Sequence, residues 1–414
     1  MSNQTPRVSY PSAPSRPPLS YRRARTRRKT VLTLFGTRPE VIKLAPVIQQ
    51  LEARSLSLRT FNIASGQHSD LIRPFIEMFD IRVDVDFNLM TVNQTPALLR
   101  RRITVELHKT LNSESADLIM VQGDTTTALA GALVGNERGI PVAHVEAGLR
   151  SGNILSPCPE ELNRRMITQL ATYHFASTAR NREALLREGV PESAIFLTGN
   201  PIVDAMQAMV KNKQPSSDLN VFNSLGQKKY IVLTTHRRES FGRVLTENLR
   251  VLSQFVKDHE DVVLVFPVHP NPNVSHPARE IFADNARVLI LPPLPYRDFL
   301  HILSQSWLVV SDSGGIQEEV PTLGKPLLIL RENTERPECI EAGVARLVGG
   351  SPRALSEMLE EAYAEGSWVD SVHSIPNPFG QGDSALRIVQ SLTVLLEGCT
   401  RPESAVQKGS DDYR

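Results

Sequence analysis

Short apolar runs alternate with helical stretches along nearly the whole chain, and this alternation constrains the fold more than any other feature. Runs of strand character fall at 31–35, 58–64, 117–122, 140–145, 173–176 and 194–197, then again at 230–234, 262–266, 288–291, 307–310 and 326–330. Between them apolar residues follow a helical period, as at 126–136, 160–172, 246–257 and 296–304, and 351–365 and 383–397 also read as helices. Strands separated regularly by helices build parallel βαβ units with helices on both faces of the sheet. The 414 residues exceed what one ordinary core holds. The expected architecture is therefore α/β, with two Rossmann-like lobes facing a central cleft at the carboxyl ends of both sets of strands. The first lobe is expected over 30–198 and the second over 199–382, with Thr198-Gly199-Asn200-Pro201 as the hinge.

Charge is unevenly placed. Residues 1–29 hold eight Arg or Lys and no acid, so a net charge of +1 leaves a formal −7 on the remainder. This stretch is rich in Ser and Pro and has little to bury, which reads as a disordered basic tail. Such a leader can also serve as a transit peptide or a nucleic-acid arm, but it lacks the apolar segment of a secretory signal. Residues 401–414 read as a second loose tail. No apolar run approaches the ~18 residues that span a bilayer, so no membrane role is expected. Cys158, Cys339 and Cys399 are scattered, with no CxxC pair. That usage fits a reducing, cytoplasmic compartment and offers no zinc site. Neither GxGxxG, GxxxxGK[ST] nor GxSxG occurs, which removes the usual dinucleotide, P-loop and hydrolase readings.

The strand ends carry the chemistry. Gly36-Thr37-Arg38, Gly123-Asp124-Thr125, His144-Val145-Glu146, Thr235-His236-Arg237 and Ser311-Asp312-Ser313-Gly314-Gly315 all follow apolar runs, where an ordinary loop needs no such residues. The last of these turns through two glycines into a helix, and a helix N-terminus presents orphan N–H groups that favour an anion. Each residue alone has a plain structural reading: Asp124 as an N-cap, His236 as a core histidine, Glu160 as a first-turn acid. Together they sort by charge. Arg38, Lys43, His236, Arg336 and the Gly314-Gly315 backbone suit an anionic ligand, and Asp124, Glu146 and Glu160 suit acid–base work beside it. A nucleotide-sugar enzyme fits that division better than a nucleic-acid binder.

The motifs Phe-Gly-Thr-Arg-Pro-Glu (35–40), Gly-Asp-Thr-Thr-Thr (123–127), His-Val-Glu-Ala-Gly-Leu-Arg (144–150), Pro-Glu-Glu-Leu-Asn-Arg (159–164), His-Arg-Arg-Glu-Ser-Phe-Gly (236–242), Asp-Ser-Gly-Gly-Ile-Gln-Glu-Glu (312–319) and Thr-Glu-Arg-Pro-Glu (334–338) occur in one order over roughly 30–395. In this the chain resembles the non-hydrolysing UDP-N-acetylglucosamine 2-epimerases, whose fold is similar to that of the two-lobed GT-B glycosyltransferases. The resemblance implies reversible inversion at C2 of UDP-GlcNAc to give UDP-ManNAc, by elimination and re-addition of UDP through a 2-acetamidoglucal. It assigns acid–base roles to Asp124, Glu146 and Glu160 and a pyrophosphate contact to His236. It gives UDP or sugar contacts to Arg38, Lys43, Ser313, Gly314, Gly315, Glu319 and Arg336, with Leu294 and Phe299 near the uracil. It further implies that a helix at 383–400 returns to the first lobe, that the protein is a homodimer, and that neither a cofactor nor a metal is needed. Cys158 stands where the family usually has an aromatic, and Ser69-Asp70 where a basic residue is frequent. A hydrolysing epimerase, an epimerase of a modified UDP-GlcNAc, a GT-B transferase and a non-catalytic sugar-nucleotide sensor are the alternatives.

Overall fold

A computed structural model describes residues 27–397, except 56, 67–68, 92–93, 155–156, 212–227 and 238–239. Of the tails expected at 1–29 and 401–414, all but residues 27–29 lie outside the described residues. Seven strands form the first sheet: β1 (Lys29–Phe35), β2 (Leu58–Ala64), β3 (Val85–Asp86), β4 (Leu118–Gln122), β5 (Val142–Ala147), β6 (Tyr173–Ala176) and β7 (Ile195–Leu197). Their order is β3-β2-β1-β4-β5-β6-β7, all parallel. Six more form the second: β8 (Lys229–Thr234), β9 (Val262–Pro267), β10 (Val288–Leu291), β11 (Leu308–Ser311), β12 (Leu327–Ile329) and β13 (Ala345–Leu347). They run β10-β9-β8-β11-β12-β13, again all parallel.

Each sheet reverses its direction of growth once, between β1 and β4 and between β8 and β11. A crevice opens at such a point, flanked by the loops that follow those strands. Arg38, Asp124, His236 and Ser313 follow β1, β4, β8 and β11 in that order, so all four sit at the two reversals.

The strands read as unbroken apolar runs because both faces are covered. Val31 and Phe35 enter one core, while Leu32 and Leu34 enter another. The first of these cores continues through the helices Arg38–Glu52, Pro201–Lys211, Gly314–Leu323 and Ser384–Glu397 and joins the lobes. Pro201–Lys211 lies between them, against Arg38–Glu52 on one side and Gly314–Leu323 on the other. Ser384–Glu397 returns onto Arg38–Glu52 and Pro201–Lys211. Asp204 caps it, accepting from Ser384 N at 3.2 Å and Ala385 N at 3.0 Å.

Order begins slightly before the boundary drawn from the sequence. Arg27 donates to both oxygens of Asp117 at 2.8 and 2.9 Å, and Lys29 reaches the same carboxylate at 3.2 Å. β3 and β13, two and three residues long, are too short to show a period and were not legible. Among the described residues no helix is long and apolar enough to cross a membrane.

Candidate active site

The turn after β1 is held by Glu40, which is fully buried. Its Oε2 accepts from Gly36 N (3.0 Å), Thr37 N (2.7 Å) and Thr37 Oγ1 (2.8 Å), and its Oε1 accepts from Thr125 Oγ1 (2.6 Å). Thr125 follows Asp124, so Glu40 fastens the Arg38 loop to the Asp124 loop. Burial pushes its carboxyl up, to about 7, against the pull of these four donors. Arg38 is exposed, and its guanidinium carbon lies 5.9 Å from the ring centre of Phe75 and 5.8 Å from that of Tyr296.

Glu146 sits inside β5, not in the loop beyond it, where a bulge interrupts the ladder between Val145 and Ala147. Its backbone is left-handed, with φ 67°. A non-glycine residue holds that conformation only where its surroundings dictate it. Those surroundings are Lys43 Nζ and Asn200 Nδ2 (3.3 Å) on Oε1, and Gln122 Nε2 on Oε2. Lys43 also reaches Glu318 of the second lobe at 2.7 Å. Burial would lower the Lys43 pKa, but Glu146 and Glu318 outweigh it and hold the ammonium charged. Arg336, which the sequence assigns to ligand contact, is buried beside them and donates Nε to Glu318 at 2.6 Å and Nη1 to Glu335 at 3.0 Å.

Asp124 retains 23% side-chain exposure and pairs with Arg164 Nη2 at 2.5 Å. The same nitrogen lies 3.5 Å from Glu335 of the second lobe. Glu160 opens the helix Glu160–Leu170 half-buried, four residues before Arg164 and so on the same helical face. Among the described residues no hydrogen bond or ion pair engages its carboxylate. Its neighbour Glu161 is structural: fully buried, it accepts from Ser151 N (3.0 Å) and pairs with Arg164 (3.1 Å) and Arg165 (3.3 Å).

In the second lobe Asp312, also fully buried, organises the turn after β8. It accepts from Thr235 Oγ1 (2.8 Å), His236 N (3.0 Å) and Arg237 N (3.0 Å), and its Oδ1 lies 3.2 Å from His236 Nδ1. Burial raises its pKa, and His236 and the amides more than reverse the shift. The imidazole itself is 44% exposed and stacks on His269. Ser313 precedes the helix Gly314–Leu323 without capping it by its side chain. A Cβ on Gly314 would lie 2.9 Å from Arg336 Nη1, whereas one on Gly315 would meet nothing closer than 3.8 Å. Gly314 is thus packed from beneath and Gly315 is open. One turn on, Glu319 takes Tyr296 Oη on Oε1 at 2.8 Å, and among the described residues its buried Oε2 has no hydrogen-bond partner. Leu294 and Phe299 are half-buried at the margin of the shared core.

Of the predicted residues, Lys43, Glu146, Asp124 and Arg336 come together in ion pairs that bridge the two lobes, Arg38 lies beside Tyr296, and His236 is fastened to Asp312. Glu318, Glu335, Arg164, Gln122 and Asn200 belong to this assembly without having been singled out. A separate cavity of about 490 Å³, bordered by Lys229, Trp307 and Tyr363, opens at the amino ends of β8 and β11 and involves none of these groups.

Two doubly wound lobes meeting across a cleft of this kind define a GT-B-like protein. The profile for UDP-N-acetylglucosamine 2-epimerase matches residues 49–393. The UDP-N-acetylglucosamine 2-epimerase of Escherichia coli K12 is 40% identical over 368 residues, covering 87% of this chain and 98% of that protein. Among solved structures, the UDP-GlcNAc 2-epimerase from Neisseria meningitidis bound to UDP-GlcNAc is similar with a TM-score of 0.80 at 35% identity, over 88% of this chain and 99% of that one. The Methanocaldococcus jannaschii UDP-GlcNAc 2-epimerase in complex with UDP-GlcNAc and UDP gives 0.74 at 34% identity, over 88% and 99%. The chain belongs to the UDP-N-acetylglucosamine 2-epimerase family.

Proposed function

We propose that this protein interconverts UDP-GlcNAc and UDP-ManNAc without hydrolysis, as a cytoplasmic homodimer that supplies ManNAc-type sugars for surface polysaccharide. The observation that carries the reading is the link, through one shared cation each, from Glu146 and Asp124 to the lobe with the open N-terminus of Gly314–Leu323. A diphosphate at that helix end, beside His236, places the sugar toward the carboxylates of the first lobe. Glu319, with its unpartnered Oε2, is suited to accept hydrogen bonds from ribose hydroxyls.

The C2 proton of a hexose has no neighbouring carbonyl to acidify it. If the bond from C1 to the UDP oxygen stretches first, C1 gains oxocarbenium character and C2–H becomes acidic. The electron pair of that bond leaves with the diphosphate, where His236 and the helix N-terminus stabilise it. A carboxylate takes the proton, and C1=C2 of the glucal forms. Re-addition of UDP at C1, with a proton delivered to the opposite face of C2, completes the inversion. Two faces call for more than one carboxylate, which Asp124, Glu146 and Glu160 provide.

The test is incubation with UDP-GlcNAc in deuterated water, followed by NMR. UDP-ManNAc carrying deuterium at C2 is expected. Free UDP and ManNAc as the sole products would establish the hydrolysing reaction instead, and binding without turnover would leave a sensor.

A further inference from the structure

Two ladders of charge cross the cleft side by side. In one, Glu318 holds Lys43 at 2.7 Å, and Lys43 pairs in turn with Glu146. In the other, Glu335 lies 3.5 Å from Arg164, which pairs with Asp124 at 2.5 Å. Arg336 ties the second-lobe members together, at 2.6 Å to Glu318 and 3.0 Å to Glu335. Both contain a first-lobe cation shared between a proposed acid–base carboxylate and a second-lobe carboxylate, and Arg164 in addition holds the first-lobe Glu161 at 3.1 Å. All of these side chains except Asp124 are buried, so little solvent screens the sharing.

A cation held by one carboxylate alone fixes it firmly and weakens it as a base. A second carboxylate on the same cation draws part of that charge away. Resting on the epimerase reading above, we infer that Glu318 and Glu335 are positioning residues. Each takes a share of the cation that holds Glu146 or Asp124, so both groups are aimed when the lobes are together. Glu335 is not arranged for stability alone. Among the described residues its Oε1 is buried without a hydrogen-bond partner, an arrangement that costs stability and asks for another reason.

Glu335→Gln and Glu318→Gln, made separately, test the two ladders. In each, kcat with UDP-GlcNAc is expected to fall roughly 10- to 100-fold while KM and the calorimetric affinity for UDP stay within about threefold. Deuterium uptake at C2 should fall in parallel, and Glu335→Asp, which keeps the charge, should recover most of the rate. A folded variant with wild-type kcat would overturn the inference. So would a loss of rate matched by an equal loss of UDP affinity. If one variant does not melt cooperatively the other ladder decides, and failure of both to fold would make these residues structural and end the proposal. Wild-type protein is assayed alongside. Its own failure to turn over UDP-GlcNAc would reject the epimerase reading and this inference together, whereas active wild type with unaffected variants rejects the inference alone.

Discussion

Glu146 and Glu318 grip the same ammonium, that of Lys43, from opposite lobes, and they sit at opposite ends of the carboxyl range. Burial pushes Glu146 up, to about 7, and Lys43 only partly offsets it. Burial acts on Glu318 in the same sense, but Arg336 and Lys43 together hold it down, to about 2. Of two carboxylates sharing a lysine, the proton goes to the one with no second cation bonded to it.

That difference has a signature in stability. The folded protein favours the protonated form of Glu146, so its contribution is full below the ordinary carboxyl value and is lost as pH rises through about 7. Glu146→Gln removes this titration, while Glu40 titrates alike in both proteins and cancels. Scanning calorimetry should find the variant melting with wild type near about pH 4 and above it near about pH 8. A gap that stays constant, or changes sign the other way, contradicts the assignment.

His236→Ala should weaken UDP binding and slow turnover together. A lost charge-assisted hydrogen bond costs about 1.5–3 kcal/mol, or roughly 10- to 100-fold in affinity. Titration calorimetry with UDP is the measurement, and unchanged affinity would place His236 away from the diphosphate. Asp312→Ala strips the acceptor from Thr235, His236 and Arg237 and should lower stability as well, by about 1–3 kcal/mol.

The adjacent glycines should separate. At Gly315 a methyl group meets only ordinary contacts, so Gly315→Ala should fold like wild type, and on the proposed placement of the diphosphate it should lose UDP affinity. At Gly314 it meets an arginine pinned by two carboxylates, so Gly314→Ala should lose about 1–3 kcal/mol of stability. Equal melting temperatures for the two variants would show that Arg336 gives way freely.

Glu160→Gln keeps shape and removes acid–base capacity, so turnover should fall by roughly 10²–10⁴-fold with UDP binding little changed. UDP-GlcNAc labelled with oxygen-18 in the C1 bridge should scramble that label into non-bridging positions of the β-phosphate in wild type, since a freed phosphate rotates before re-addition. Deuterium uptake at C2 without scrambling would rule out cleavage at C1.

Much of this was legible because the two strand-order reversals display their loops, and polar residues after apolar runs mark those loops. The positions of Arg38, Asp124, His236 and Ser313 at the ends of β1, β4, β8 and β11 were read that way. The reversals themselves were not legible, since alternation of strand and helix says nothing about strand order. Glu318 and Glu335 escaped for a different reason. Their partners, Lys43 and Arg164, lie in the other lobe, and no spacing rule connects residues so far apart in sequence. Glu161, beside the assigned Glu160, is marked as structural by its full burial and by its bonds to Ser151, Arg164 and Arg165.

The chain passes between the lobes at 198–200 and again at 379–384, and the two passages touch. Asn200 N donates to Phe379 O at 2.8 Å, and a Cβ on Gly199 would strike Ser384 Oγ at 2.6 Å. Two crossings pinned at one place, with Asp204 capping the returning helix close by, gather the covalent links between the lobes at a single joint. Asn200 also donates to Glu146. The joint between the lobes is therefore one side chain away from that carboxylate.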